Sequence, residues 1–232
     1  MEPAAAMMLS RALPILLLLA VTVSAERAPT LVFILAGQSN MGGRGGATVG
    51  NHWDGVVPPE CAPSPRTLRL SPSLRWEEAR EPLHAGVDVG DVVGVGPGMP
   101  FAHALLRSPA CPRGAVVPPI VNWTRGSEMG RPTTCGREDA LAYAGRMEAF
   151  VRDVRRDLAM PNLLVIQVGI ATAQNQGKWL DLVRKQQRAV RMPNLKYVDA
   201  MGLPLANDIT HLTTQAQVRL GKMLADAYIA TL

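Results

Sequence analysis

A serine at the end of a buried strand is the first candidate for chemistry. Residues 31–36 form a continuous apolar run that ends at Gly37, which is typical of a strand covered on both faces of a parallel sheet. Open α/β sheets carry out chemistry just beyond the carboxyl ends of such strands. Ser39 lies there, ahead of four glycines that permit a close approach of backbone or substrate. Ser39 is therefore a candidate nucleophile; the alternative is that residues 38–40 form an ordinary turn.

A serine hydroxyl needs a base, and the C-terminal part of the chain supplies one. Histidine is the side chain whose pKa suits proton transfer near neutral pH. His211 lies between the last predicted strand and the last predicted helix, in a loop that emerges at the same sheet edge as Ser39 if the strands are parallel. Asp208 can accept a hydrogen bond from the other ring nitrogen of His211 and fix its tautomer. The alternative is a helix-capping cluster of Asp and Thr residues.

The elements that must position these residues alternate between strands and helices. Strands are predicted at residues 31–36, 115–121, 163–170 and 196–200, and helices at residues 101–107, 139–158, 179–191 and 215–228. The second strand contains two prolines, which belong at strand ends or edges. Residues 51–98 are rich in proline and glycine and are predicted to make a long ordered excursion over the sheet. The alternation predicts a parallel sheet between helical layers.

Composition and charge narrow the class of protein. A chain of 232 residues with 47% hydrophobic and 19% charged residues is predicted to form one globular domain. The formal net charge of +5 favours acidic partners. The sequence has no nucleic-acid motif and no basic patch interleaved with aromatic residues, so we expect no nucleic-acid partner.

The N-terminal sequence predicts secretion. Residues 1–25 read as a signal peptide, with Arg11 ahead of an apolar stretch at residues 13–23 that is too short to span a bilayer comfortably. The expected product is a domain at residues 26–232 with no stable membrane anchor; a retained anchor is the alternative. Outside the cell, Asn122 in Asn-Trp-Thr becomes a candidate glycosylation site.

In the oxidising compartment that secretion implies, cysteines are expected to pair. The chain has three cysteines, Cys61, Cys111 and Cys135, which predict one disulfide and one remaining thiol. Their spacing does not identify the pair. It also matches no zinc-binding pattern, so no metal is expected.

The two candidate segments together resemble a known family. GQSNM after the first strand, and Asp-x-x-His-Leu at residues 208–212 before the final helix, are similar to the SGNH hydrolase superfamily. More narrowly, the chain resembles plant carbohydrate esterases related to sialate O-acetylesterases. The likeness extends to WDGVVPPEC, to the RLS…RWEEAREPLH stretch, to GVGPGM, and to nearly everything from Asp139 to the end.

This resemblance implies a three-layer α/β/α sandwich with a mostly parallel sheet and without a cofactor. It implies a catalytic triad that removes acetyl groups from sugars or polysaccharides, with Ser39 as nucleophile, His211 as base and Asp208 as its orienting group. It also implies that Gln38, Ser39 and Asn40 contact the oxyanion or the substrate.

The chain departs from the family pattern between about residues 121 and 139. Family members carry an AVGGT-like turn after the second strand and a later strand that ends in WYQGESD, and both segments supply oxyanion donors. Neither is present here, so the domain is expected to lack one central strand, unless the remaining strands pair directly to close the gap. Loss of one oxyanion donor reduces turnover about 10²–10³-fold. The alternative function is therefore a catalytically impaired homologue that binds carbohydrate.

Overall fold

The computed structural model describes residues 29–37, 39–48, 52–117, 119–123, 136–172 and 177–232. Its strands are β1 (Phe33–Gly37), β2 (Ala47–Thr48), β3 (His52–Trp53), β4 (Leu68–Leu70), β5 (Trp76–Glu78), β6 (Pro119–Trp123), β7 (Val165–Gly169) and β8 (Leu195–Asp199). Its α-helices are α1 (Gly98–Arg107), α2 (Arg137–Asp157), α3 (Leu180–Ala189) and α4 (Thr214–Ile229). The mixed α/β class predicted from the sequence is confirmed.

The four longer strands form two parallel pairs. β1 pairs with β6 in a register that places Phe33 opposite Pro119, and β7 pairs with β8 in a register that places Val165 opposite Leu195. The strand β6 begins at Pro119, which is the first strand position, where proline removes no central hydrogen bond. In the described ranges the two pairs do not join into one sheet, so the direct pairing that the sequence left as an alternative is not seen there. Residues of β1 and of β7 line one cavity between the two pairs.

Helices pack on the two faces of these strands. On one side, α1 and α4 share an apolar core with Phe33 of β1 and with Ile166 and Val168 of β7. The rings of Phe33, Phe101 and Tyr228 meet edge to face there, with centroids of Phe33 and Phe101 4.7 Å apart. Such aromatic contacts add about 0.5–1.5 kcal/mol beyond the area they bury.

The opposite face of β7 and β8 is covered by α2. Met147 and Val151 of α2 are buried and pack against Val165 and Leu195. Successive residues of β7 thus alternate between the two helical sides, as a strand buried on both faces requires. Leu158, which follows the last residue of α2, is 45% exposed and lines the cavity between β1 and β7 instead.

The excursion after β1 is ordered but carries short strands of its own. β2 and β3 form one antiparallel pair, β4 and β5 form another, and a 3-10 helix at Pro59–Cys61 lies between them. Apolar residues of this segment, Cys61, Ala79, Leu83 and Val95, are buried with Leu35 of β1. The excursion is therefore packed onto the strand that leads to Ser39.

Several sequence predictions concern residues that the structure describes only in part. The proposed signal peptide and Cys135 lie outside the described residues, as does the side chain of Asn122. Cys61 and Cys111 are both buried and unpaired, so the expected disulfide does not join these two. In the described part of the chain, no helix has the length and apolarity needed to cross a membrane.

Glu81, in the excursion, gives a testable pH dependence. Its carboxyl oxygen Oε1 is screened from water, and Oε2 accepts a hydrogen bond of 2.8 Å from the backbone N–H of Leu83. Burial raises the pKa of Glu81 to about 7, although hydrogen bonds from Leu83, Gly96 and Cys61 act in the opposite direction. Between pH of about 4.5 and about 7, the folded chain therefore holds a proton that the unfolded chain has lost.

The free energy of unfolding should consequently fall as pH rises through this window. Glu81→Gln removes the titrating group, so the stability of the variant relative to the wild type should rise from pH 4.5 to pH 7 by up to about 3 kcal/mol. Urea unfolding followed by circular dichroism at several pH values measures this difference. The matched control Glu138→Gln, on an exposed side chain of α2, should leave it unchanged. Parallel pH profiles of wild type and Glu81→Gln would contradict the assignment.

Candidate active site

The turn after β1 holds Ser39 in an uncommon backbone conformation. Ser39 has a φ of 55°, in the left-handed region that residues with a side chain rarely adopt. Such strain is found where the surrounding structure imposes it, often at functional sites. The turn is fixed on its far side by Gly45, which exchanges two backbone hydrogen bonds of 2.9 Å with Val95. The turn therefore presents Ser39 beyond the carboxyl end of β1.

Gly43 shows why this turn is rich in glycine. Its φ is +85°, and a Cβ atom at this position would lie 2.6 Å from the carbonyl oxygen of Gly94. No side chain fits at that distance. The GGRGG segment and the GVGPGM segment, which the sequence analysis noted separately, are thus in backbone contact.

His211 and Asp208 form a hydrogen-bonded pair in the loop before α4. His211 Nδ1 lies 2.5 Å from Asp208 Oδ2, and the backbone N–H groups of His211 and Thr210 donate to Asp208 Oδ1 at 2.9 and 3.0 Å. Burial alone would raise the pKa of Asp208, but these hydrogen bonds hold it below its usual value. Asp208 is therefore a carboxylate that fixes the ring through Nδ1 and leaves Nε2 for other contacts.

Asn40 ties the serine turn to the histidine loop. Its Oδ1 accepts hydrogen bonds from the backbone N–H of Leu212 at 2.8 Å and from Gln217 Nε2 at 3.1 Å. The loop is held from a third direction by Thr172, whose hydroxyl donates to the carbonyl oxygen of Thr210 at 2.8 Å. Asn40, next to Ser39, and Leu212, next to His211, are therefore joined by a hydrogen bond although they lie 172 positions apart in sequence.

Ser39, Asn40 and His211 line one cavity of about 1500 Å³. Among the hydrogen bonds of the described residues, none joins Ser39 to His211. In enzymes without bound substrate, such catalytic hydrogen bonds are often long and shorten in the complex. Of the predicted site residues, the structure thus brings Ser39, Asn40, Asp208 and His211 to one rim, while Gln38 lies outside the described residues.

The sequence analysis missed a buried charge beside this rim. Arg44 donates to Asp88 Oδ2 at 2.6 Å and to the carbonyl oxygen of Gly43 at 3.1 Å. The side chains of Arg44 and Asp88 are 5% and 0% exposed. Asp91, at 3.4 Å from Arg44, is half exposed and lines the cavity. The arginine inside a glycine-rich turn was the feature of the sequence that could have indicated this ion pair. Its partner Asp88 lies 44 residues away, so the sequence did not identify it.

No metal site is evident in the part of the chain that the structure covers. No three His, Cys, Asp or Glu side chains there cluster in a way that would hold a metal ion.

Comparison with known proteins identifies what the chain is similar to. The family model for carbohydrate esterase, sialic acid-specific acetylesterase, matches residues 29–129 and 129–230. A probable carbohydrate esterase of Arabidopsis thaliana is 42% identical over 242 residues, which cover 87% of this chain and 91% of that protein. The alignment is longer than this chain although it uses only part of it, so the relative has segments without a counterpart here.

A solved structure shows the same likeness. The crystal structure of an Arabidopsis thaliana protein superposes with a TM-score of 0.77 and 38% sequence identity. The match covers 88% of this chain and 98% of that one.

Proposed function

This chain belongs to the carbohydrate esterase family described as sialic acid-specific acetylesterases, and we propose that it is a secreted serine esterase that removes O-acetyl groups from carbohydrate or cell-wall polysaccharide. The observation that carries the proposal is the His211–Asp208 pair, held by Asn40 beside Ser39 on a shared cavity. Secretion is supported by the signal-peptide pattern of residues 1–25.

The proposed reaction is acyl transfer to serine followed by hydrolysis. Ser39 Oγ attacks the acetyl carbonyl carbon while His211 Nε2 takes the hydroxyl proton. The tetrahedral intermediate collapses, and the sugar oxygen leaves with the proton returned by His211. A water molecule, deprotonated by the same imidazole, then releases acetate from Ser39. Asp208 stabilises the imidazolium that forms in each half of the reaction.

The negative oxygen of the intermediate needs hydrogen-bond donors. We propose that the backbone N–H of Ser39 is one of them, with Gln38 and Asn40 at the same turn as further oxyanion or substrate contacts. The side-chain oxygen of Asn40 accepts hydrogen bonds from Leu212 and Gln217, and its Nδ2 donates to the carbonyl oxygen of Thr210 at 3.5 Å, so we assign the oxyanion contact of Asn40 to its backbone N–H.

The shortened segment favours the second candidate function. The two family matches meet at residue 129, between β6 and α2, where the sequence lacks both oxyanion segments of the family. A homologue without these donors would bind acetylated carbohydrate and turn it over slowly, because each lost donor reduces the rate about 10²–10³-fold. The two functions share a fold, which we propose is the family's α/β/α sandwich without one central strand.

Acetate release separates the two candidates. Purified protein, Ser39→Ala and the control Ser73→Ala, an exposed serine outside the cavity, are assayed with p-nitrophenyl acetate and acetylated xylan. The esterase proposal predicts release by wild type and Ser73→Ala, and background release by Ser39→Ala. Equal release by all three would rule out a serine mechanism at this site. Binding of acetylated xylan without release would favour the carbohydrate-binding homologue.

A further inference from the structure

Gln217 is a polar side chain in the buried face of α4. It lies near the start of this helix, has no exposed surface, and is flanked by the buried residues Ala216 and Val218. Its Nε2 donates a hydrogen bond of 3.1 Å to Asn40 Oδ1, whereas its Oε1 has no hydrogen-bond partner among the described residues. A buried oxygen without a partner lowers stability, and an apolar side chain of similar size would avoid this loss. Stability therefore does not account for an amide at this position.

The hydrogen bonds around Asn40 fix the orientation of both amides. Asn40 Oδ1 also accepts the backbone N–H of Leu212 at 2.8 Å, so this atom must be the oxygen of the amide. The atom of Gln217 that faces it must then be the nitrogen, because only the nitrogen can donate. At the other end of the Asn40 amide, Nδ2 donates to the carbonyl oxygen of Thr210 at 3.5 Å. Gln217 thus holds the side chain that contacts both neighbours of His211.

The same part of α4 also packs against the serine turn at Gly45. A Cβ atom at Gly45 would lie 2.9 Å from Thr214 Cα and 3.3 Å from Gln217 Cγ, so a larger residue would displace the turn from the helix. On its other side, Gly45 exchanges two backbone hydrogen bonds of 2.9 Å with Val95. The turn that carries Ser39 is therefore packed directly on the helix that follows the histidine loop, and Gln217 lies at the contact.

We propose that Gln217 is a positioning residue of the esterase: through Asn40 it sets where His211 and the oxyanion contact lie relative to Ser39. The inference rests on the proposed esterase function. The backbone N–H assigned to the oxyanion belongs to Asn40, and the loop bonded to the Asn40 side chain carries His211. A displaced base or donor reduces the rate strongly, since catalysis depends on the alignment of the reacting groups. Because Gln217 is fully buried, it acts on this alignment only through its neighbours.

Gln217→Met removes the donor and keeps a side chain of similar size. For p-nitrophenyl acetate, kcat should fall about tenfold, the effect of about one hydrogen bond, while KM stays unchanged because no substrate contact is lost. The urea midpoint should equal or exceed that of the wild type, since the unpartnered oxygen is gone and Asn40 Oδ1 keeps its bond to Leu212. The matched control Gln215→Met, at an exposed position of α4, should keep wild-type kcat. Unchanged kcat in Gln217→Met, or a variant that fails to fold, would overturn the proposal.

A double-mutant cycle separates positioning through Asn40 from a general structural effect. Residues that act through one contact show non-additive effects, whereas independent residues show multiplied ones. Gln217→Met should therefore change kcat by less than about twofold when Asn40 is already alanine. The rate of Ser39→Ala is subtracted from each variant as the background. The same tenfold loss with and without the Asn40 side chain would overturn the proposal, because Gln217 would then act by another route.

Amide hydrogen exchange, measured by NMR, tests the same contact without turnover. In Gln217→Met the N–H of Leu212 should lose about tenfold in protection, because its acceptor Asn40 is held less firmly, while the N–H of Leu224 in the buried part of α4 should keep its protection. If the wild type releases no more acetate than Ser39→Ala, the esterase proposal fails, and loss of protection at Leu212 still supports the positioning of the loop. Acetate release by the wild type, with equal protection of Leu212 in both proteins, keeps the esterase and overturns the role of Gln217.

Discussion

Replacing His211 with alanine should lower kcat for p-nitrophenyl acetate by about 10²–10⁴-fold, the usual contribution of a general base. The ring accepts the proton of Ser39 in the proposed mechanism, and no other histidine lines the cavity in the described residues. Asp208→Asn should also reduce kcat, because an amide no longer stabilises the imidazolium through Nδ1. Steady-state kinetics at neutral pH measure both changes.

The control for this prediction is His52→Ala, an exposed histidine that does not line the cavity. This variant should keep wild-type kcat. Circular dichroism of His211→Ala should match the wild type, since the side chain is partly exposed and its removal opens no core cavity. A His211→Ala variant with more than half of the wild-type kcat would contradict the proposed role of the imidazole.

Replacing Asp88 with alanine should cost about 3–5 kcal/mol of stability. The change leaves the guanidinium of Arg44 buried without its nearest carboxylate, at a position where Arg44 is 5% exposed. Arg44 also donates a hydrogen bond to the carbonyl oxygen of Gly43, in the turn that carries Ser39. We therefore expect the conformation of this turn to be destabilised as well. Urea unfolding monitored by circular dichroism gives the loss.

Asp91→Ala is the matched control for Asp88→Ala. Its carboxylate also pairs with Arg44, but at 3.4 Å and with 53% of the side chain exposed, so its removal should cost less than about 1 kcal/mol. The double replacement of Arg44 by Met and Asp88 by Leu should recover part of the stability, since no charge then remains buried. Equal losses for Asp88→Ala and Asp91→Ala would show that burial does not set the energy of this pair.

The elements with a strong periodic pattern were predictable from sequence. The helix expected at residues 215–228 is α4, and the side chain of its N-cap residue Thr213 accepts a hydrogen bond from the N–H of Ala216. The pairing of Asp208 with His211 was predictable because residues three apart meet within one turn. Both features depend on neighbours in sequence, whose geometry local chemistry sets.

Features that depend on distant residues were not predictable. The hydrogen bond between Asn40 and Leu212 and the ion pair between Arg44 and Asp88 join segments that are distant in sequence. These segments come into contact only in the folded protein. The arrangement of the two strand pairs is a third case. The sequence indicated a missing strand, but whether β1 and β7 would then pair depends on how α1 and α4 hold them, since both strands pack against those helices.

The central claim is that Ser39 is a nucleophile activated by His211, and covalent labelling tests it most directly. Purified wild type and His211→Ala are incubated with diisopropyl fluorophosphate, and the modified residue is located by mass spectrometry of the peptides. The account predicts an adduct on Ser39 in the wild type, formed at least 100-fold more slowly in His211→Ala. An adduct on another residue, or labelling of Ser39 at the same rate in both proteins, would contradict it.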